Sequence, residues 1–277
     1  MIRRILLPVA GDQPLDAAIS CATQLAFRHG ATLHLLGVID RPGIERSAVG
    51  AGAGASHYAR EMRQRRLADA REAYEETLNK LEESLHARGV AVRTAIETGA
   101  VHDVIAHYSR RTDLVVVGRD SNFQFETSEE PGETLVKLLR CSTRLTLVVP
   151  DGFDGEFERV IVAHDLSTTC SRVLYAMVHV NPFPDATYVV THASPDGSSP
   201  DDEIEDIVDY MTKHGFDTTG EVRGGEPVEA LLEAAERHDA DALVLGAYDA
   251  GRVRRIFLGS VAQTVLAESK VPLLFGI

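Results

Sequence analysis

Short apolar runs alternate along the chain with longer stretches in which apolar residues recur every three or four positions. The runs are rich in Val, Ile and Leu and predict buried strands at 5–9, 31–36, 113–118, 145–149, 159–165, 186–191, 241–246 and 271–275. The amphipathic stretches predict helices at 17–28, 133–140, 171–179 and 260–268, and a long one with Met62, Tyr74 and Leu85 on its apolar face. This alternation predicts βαβ units and a parallel sheet covered on both faces.

The two halves of the chain repeat the same order of elements. Segment 4–10 corresponds to 159–165, 31–36 to 186–191, 98–105 to 224–231, and 113–118 to 241–246. Each half closes with a glycine, an amphipathic helix and a final strand. We therefore predict an α/β protein of two tandem, doubly wound, five-stranded parallel-sheet domains at 1–150 and 158–277, joined by a short acidic connector.

Composition and charge narrow the class of protein. The 277 residues carry a net charge of -14, and residues 151–277 hold the whole excess, with 23 acidic against 9 basic side chains. An acidic half repels phosphate backbones, so we expect no nucleic-acid partner. The apolar runs are far shorter than the roughly 18 residues of a membrane helix, which predicts no membrane insertion. Three widely spaced cysteines match neither a disulfide framework nor a zinc site, and we expect a cytoplasmic location.

Ligands of doubly wound sheets bind beyond the carboxyl ends of the strands, where helix N-termini present backbone amides to anions. In the second half these positions are 164–167, 192–194, 246–249 and 259–260. Three arginines, Arg252, Arg254 and Arg255, lie between the last two segments. The sequence therefore predicts that a ligand site in the second half is built from these segments.

The glycine spacing resembles that of the universal stress protein family, whose domains often carry an ATP-binding loop written G-2x-G-9x-G-(S/T). Gly246 fits the first position, Gly259 and Ser260 fit the last two, and 254–262 is similar to the family's loop. The resemblance covers both halves and implies Rossmann-like, adenine-nucleotide alpha-hydrolase-like domains paired about a pseudo-twofold axis. It implies that ATP or another adenine nucleotide binds to the second domain only, at Ala163, His164, Asp165, Ala193, Gly246, Asp249, Arg254, Gly259, Ser260 and Val261. Whether a metal takes part stays open.

One position of the loop departs from the family's pattern, because Asp249 stands where the second glycine is expected. Glycine there lets the backbone approach the phosphates closely, whereas a carboxylate adds a like charge beside them. At about 4 Å and an effective dielectric of about 20 the repulsion is about 4 kcal/mol, which the three nearby arginines offset in part. Nucleotide binding, and a purely structural use of Gly246 and Gly259 as turn and helix cap, both stay open.

The first half departs further from the same pattern. Ala10 replaces the aspartate of the first strand, although Asp12 is near, and Ser121 replaces the second glycine. Segment 123–130 is acidic, and Glu133 stands where the family has Ser or Thr. We therefore expect this domain to have lost ATP binding and to contribute to the architecture.

Two further groups of side chains have simple structural explanations. His164, Asp165 and Ser167 are catalytic-triad residue types, but consecutive turn positions cannot face one another and no G-x-S-x-G elbow is present. His102, Asp103 and His107 share a predicted helix and could ligate a metal, although surface histidines explain them better.

Two segments of unusual composition are also explained without a ligand. The acidic cluster 201–206 starts a predicted helix and complements its dipole. The glycine-rich stretch 48–54 is predicted to be a linker, because no Lys-Ser/Thr follows it.

These patterns favour a non-enzymatic stress-response or regulatory module whose second domain binds an adenine nucleotide. Two alternatives stay open: an adenine-nucleotide-dependent enzyme that adenylates a substrate or hydrolyses ATP slowly, and a nucleotide-free protein-interaction scaffold. An enzyme needs a positioned base and metal-binding carboxylates beside the phosphate loop, and only Asp165 and Asp249 qualify by position.

The final strand of each half predicts how the domains pair. Segments 145–149 and 271–275 are apolar edge strands that would invite association if left open, and each can cover the other. Pro272 lies at the start of its strand, where proline is tolerated. We predict an intrachain pseudo-dimer paired through these strands, and a further homodimer stays open.

Overall fold

The computed structural model describes residues 1–10, 16–47, 56–121, 133–195, 197, 202–247 and 258–276. The first half contains, in order, β1 (Arg4–Val9), α1 (Asp16–His29), β2 (Thr32–Asp40), α2 (Arg41–Ser47), α3 (Ser56–Ala87), β3 (Val92–Gly99), α4 (Val101–Ser109), β4 (Leu114–Gly118), α5 (Glu133–Cys141) and β5 (Leu145–Val149). The second half contains β6 (Arg159–Ala163), α6 (Thr168–Val180), β7 (Thr187–Ser194), α7 (Glu203–Lys213), β8 (Asp217–Gly224), α8 (Pro227–Arg237), β9 (Ala242–Gly246), α9 (Ser260–Glu268) and β10 (Leu273–Gly276).

The strands form one ten-stranded sheet in the order β3-β2-β1-β4-β5-β10-β9-β6-β7-β8. Within each half every neighbouring pair is parallel, and the order from the outer edge inward is third, second, first, fourth and fifth strand. This is the doubly wound arrangement, and it confirms the predicted fold class of two tandem α/β domains. The domain limits at 150 and 158 stay a prediction.

The halves join through their final strands, as the apolar edges predicted. Strand β10 pairs antiparallel with β5, in the register Leu273↔Val148, Leu274↔Leu147 and Phe275↔Thr146. Leu274 is fully buried and Val148 is 1% exposed, so the junction lies inside a core that runs through both halves. Arg119 adds a polar link, since its guanidinium donates to the Ser269 carbonyl at 2.6 Å.

The long helix α3 packs on the sheet through a tyrosine ring that lies over a glycine. Tyr74 is 1% exposed, and a Cβ added at Gly37 of β2 would lie 2.7 Å from its Cδ1 atom. Glycine at this position therefore allows the ring to lie against the sheet.

Three details differ from the sequence-based expectation. The outer strands β3 and β8 did not appear among the apolar runs, because all of their residues are exposed or half-buried. Strand β7 extends to Ser194, so Ala193 lies inside the strand and not after it. The short helix α2 was not predicted. Within the described ranges, no helix is both long and apolar enough to cross a membrane.

Candidate functional site

A pocket of about 240 Å³ opens at the carboxyl ends of β6, β7 and β9 in the second half. Its walls are Ala163, His164, Asp165, Cys170, Thr191, Ala193, Pro227, Leu231, Leu245, Gly246, Gly259, Ser260, Val261 and Ala262. The first strand (β6) and the fourth strand (β9) of this half are neighbours there, which is where the strand order reverses. Doubly wound sheets bind their ligands at this switch point.

The turn from β6 to α6 sets the position of Asp165. Leu166 has a φ of 64°, and the Ser167 amide donates to Asp165 Oδ1 at 2.9 Å. The Ser167 hydroxyl in turn caps α6 by accepting from the Cys170 amide at 3.1 Å. Partial burial alone would raise the pKa of Asp165, but hydrogen bonds from Ser167 and Cys170 outweigh it and lower that pKa. The site therefore presents a fixed carboxylate that stays ionised at neutral pH.

His164 is buried beside this carboxylate and is held as a neutral ring. Its Nδ1 accepts from the Leu166 amide at 3.1 Å, which leaves the proton on Nε2. Burial lowers the pKa of His164, and the nearby Asp165 offsets this only in part. The main chain of His164 ties β6 to β7, because its amide donates to the Thr191 carbonyl at 3.0 Å.

Gly246 ends β9 against the first turn of α6. A Cβ added there would lie 3.2 Å from Cys170 Sγ and 3.3 Å from Thr169 Cγ2, so a larger residue would push α6 away. Burial, and then the charge of Asp165, raise the pKa of Cys170 to about 11, so the thiol stays protonated. Cys170 is therefore a packing residue of the pocket wall.

Helix α9 begins at the mouth of the pocket without a side-chain cap. Gly259 is its N-cap and donates its own amide to the Ala247 carbonyl at 3.1 Å. The first intrahelical bond is made by Gln263, whose amide donates to the Gly259 carbonyl at 2.9 Å. The amides of Ser260, Val261 and Ala262 precede that bond, so the helix has no acceptor for them. Such a terminus attracts anions.

Eight of the residues predicted for the site are described, and all eight line this pocket: Ala163, His164, Asp165, Ala193, Gly246, Gly259, Ser260 and Val261. Asp249 and Arg254 lie outside the described residues. Pocket residues that the sequence reasoning missed include Cys170, Pro227 and Leu231. The sequence signal for two of them was Pro227 at the start of α8, with Leu231 one turn later on the same face.

The corresponding positions of the first half look different. Ala10 is buried at the end of the first strand, and Arg119 after the fourth strand points its guanidinium to the Ser269 carbonyl of the second half. Glu133 is the first residue of α5, while Asp12 and 122–132 lie outside the described residues.

The two histidines of α4 contact residues close to them in the sequence. His107 Nε2 accepts from Arg111 at 3.0 Å, and His102 Nε2 lies 3.7 Å from Asp103 Oδ1. Across the part of the chain that the structure describes, no three His, Cys, Asp or Glu side chains come together in a way that would hold a metal ion. For the acidic cluster, α7 begins at Glu203 and carries three acidic residues in its first turn.

The fold and the pocket define a tandem, doubly wound α/β protein with a ligand pocket at a strand-order switch point. A model of the universal stress protein family matches residues 1–124 and 177–275, which is most of the chain. The chain therefore belongs to the universal stress protein family, and the family resemblance noted in the sequence is confirmed.

Known relatives agree with this assignment. The universal stress protein Slr1230 of Synechocystis sp. is 22% identical over 186 residues, which is 66% of this chain and 64% of that protein. A universal stress protein structure from Archaeoglobus fulgidus is 21% identical with a TM-score of 0.70, and covers 99% of this chain and 97% of its own. A putative universal stress protein structure from Pseudomonas aeruginosa is 18% identical with a TM-score of 0.66, and covers 99% and 93%. At these identities the two structures show the shared fold.

Proposed function

We propose that the protein is a non-enzymatic regulatory module that binds an adenine nucleotide, such as ATP, in the pocket of its second half. The observation that carries the proposal is the combination, in one pocket, of apolar walls, one ionised carboxylate and an uncapped helix N-terminus. Each of these features suits one part of a nucleotide. The residues present therefore fit the group that the family resemblance implies.

The apolar walls suit the base. Ala163 and Ala193 are small residues at the ends of neighbouring strands, and Leu231 and Leu245 add larger apolar surface. A planar base gains free energy when its faces leave water for such walls. The described walls enclose about 240 Å³, just below the range of about 300–1,000 Å³ typical of ligand pockets. We therefore place the base and ribose inside and the phosphates at the mouth.

Asp165 suits the ribose. A carboxylate that is ionised at neutral pH is an acceptor for hydroxyl donors, and hydrogen bonds that involve a charged group are about twice as strong as neutral ones. The turn at Leu166 and the bond from the Ser167 amide fix the orientation of this carboxylate before any ligand arrives. It would bind the ribose hydroxyls without a large ordering cost.

The start of α9 suits the phosphates. The second half is strongly acidic, so a nucleotide needs local donors to overcome the repulsion. The first amides of α9 and the positive end of its dipole supply them next to Gly259 and Ser260. In this proposal Gly259 provides access, since it has no side chain to cover those amides.

Equilibrium titration of the full chain with ATP, AMP and cyclic dinucleotides tests the proposal. We expect saturable binding of at least one of them, and about a tenfold loss of affinity in Asp165→Asn, which removes the charge and keeps the shape. Asp217→Asn is the matched control, because Asp217 is exposed at the amino end of β8. Absence of binding, or equal losses in the two variants, would reject the proposal.

A parallel assay of ATP turnover separates a binding module from an enzyme. If the proposal holds, the protein binds the nucleotide, and its rate of ATP hydrolysis is no higher than that of the Asp165→Asn variant. Turnover that depends on Asp165 would instead support the enzyme alternative, and a chain that binds none of these nucleotides would support the scaffold alternative.

A further inference from the structure

A second cavity of about 300 Å³ lies in the first half, at the carboxyl ends of β2 and β3. Arg41 follows the last residue of β2, and Thr98 is the penultimate residue of β3. The long helix α3 closes the other side with Arg60, Arg63 and Gln64. This cavity lies away from the switch point of the first half, which is between β1 and β4.

The charge of the cavity is unusual for this protein. Three guanidinium groups line it together with one carboxylate, Glu45, so two positive charges are left in a chain of net charge -14. Glu45 Oε1 accepts from Arg41 Nε at 2.8 Å, and Arg63 Nε donates to the Ala59 carbonyl at 3.1 Å. These bonds orient two of the guanidinium groups, whereas Arg60 forms no ion pair with any described residue.

The position of the arginines on α3 is a second, independent observation. Arg60 and Arg63 both lie in the second turn of the helix, and the first turn contains no acidic residue that could pair with them. The guanidinium groups of neighbouring arginines repel one another, and a bound anion would offset that repulsion. The spacing 60, 63 and 64 puts all three polar side chains on one face of the helix.

We propose that this cavity binds a small phosphate-bearing anion. The planar guanidinium group matches the spacing of phosphate oxygens. Three guanidinium groups, the Gln64 amide and the Thr98 hydroxyl together offer more hydrogen-bond donors than the two oxygens of a carboxylate ligand can accept, which favours a phosphate as the bound anion. A phosphate group carries close to two negative charges at neutral pH, which balances the two positive charges of the cavity. The buried side chain of Ile44 gives the cavity an apolar floor.

Calorimetric titration of the full chain with sodium pyrophosphate, at ionic strength matched with sodium chloride, tests this site. We expect saturable binding, weakened at least about tenfold in Arg60→Gln/Arg63→Gln and by less than about twofold in Arg65→Gln. Arg65 is the control because it is exposed on the same helix and does not line the cavity. Three results would overturn the proposal: no saturable binding at millimolar pyrophosphate, unchanged affinity in the double variant, or equal losses in the double variant and the control.

Hydrogen exchange of the unmutated protein, with and without pyrophosphate, tests the same site without a variant and therefore applies even if the double variant folds poorly. Pyrophosphate is expected to slow amide exchange in 41–47 and in the first turns of α3. Protection confined to the start of α9 would place the anion in the pocket of the second half and overturn the proposal.

Discussion

The junction between the halves gives the sharpest test of the architecture. Leu274 is fully buried in β10 and stands opposite Leu147 of β5, in a ladder of three aligned pairs. Truncating such a leucine to alanine costs about 2–5 kcal/mol, and a carboxylate left without a partner in an apolar core adds a few kcal/mol more. We therefore expect Leu274→Asp to lower the free energy of unfolding by about 5 kcal/mol or more, a large part of the 5–15 kcal/mol typical of folded domains.

Urea denaturation and small-angle scattering together check this prediction. Leu33→Asp is the control, because Leu33 is equally buried but lies in β2, far from the junction in the sheet order. Both variants should be destabilised, and only Leu274→Asp should give an expanded particle with separated halves under conditions where each half stays folded. A loss below about 1 kcal/mol in Leu274→Asp, or scattering from the unmutated protein that shows two independently oriented halves, would refute the reasoning.

Three further perturbations test local features. As the pH falls below about 6.5, the free energy of unfolding should decrease, because the pKa of the buried His164 is lower in the folded state and the unfolded chain therefore binds the proton first. His164→Asn keeps an acceptor for the Leu166 amide but removes the titrating ring. In urea unfolding, the free energy of unfolding should therefore change less between about pH 7.5 and pH 5 in the variant, and an equal change in both proteins would contradict this. Gly37→Ala should lower the free energy of unfolding by about 1–3 kcal/mol through its contact with Tyr74, and by much less in a Tyr74→Leu background; thermal or urea unfolding of the four proteins measures this, and additive losses would contradict it. Asp249→Gly should strengthen ATP binding in titrations at matched salt, because it removes a like charge predicted to lie beside the phosphates, and an unchanged affinity would show that this charge does not act on the ligand.

The inner strands of the sheet could be predicted from the sequence because they are covered on both faces. Strands β4, β5 and β9 are almost wholly buried and therefore appear as unbroken apolar runs. The outer strands β3 and β8 are exposed or half-buried along their whole length, and their polar residues interrupt the apolar runs by which a strand is recognised in the sequence. The pairing of β5 with β10 followed from the cost of leaving two apolar edges open.

The candidate site was predictable where the backbone determines it. Ala163, Asp165 and Gly246 sit at strand ends, and Gly259 begins a helix, so locating the elements located these residues. Cys170 escaped because it reaches the pocket from α6, through a packing angle that spacing along the chain does not encode. The arginine-lined cavity escaped for the same reason, since Arg41 and Arg60 meet only when α3 folds back over β2 and β3.

The antiparallel junction determines how the two proposed sites can interact. Because β10 runs against β5 while every other pair is parallel, the carboxyl ends of the first five strands and those of the last five lie at opposite edges of the sheet. The pocket at Asp165 and the cavity at Arg60 therefore cannot share one ligand. The β5–β10 ladder, the bond from Arg119 to the Ser269 carbonyl and the contact of His29 with the Pro182 carbonyl all cross between the halves, so coupling between the two sites has more than one route through the structure.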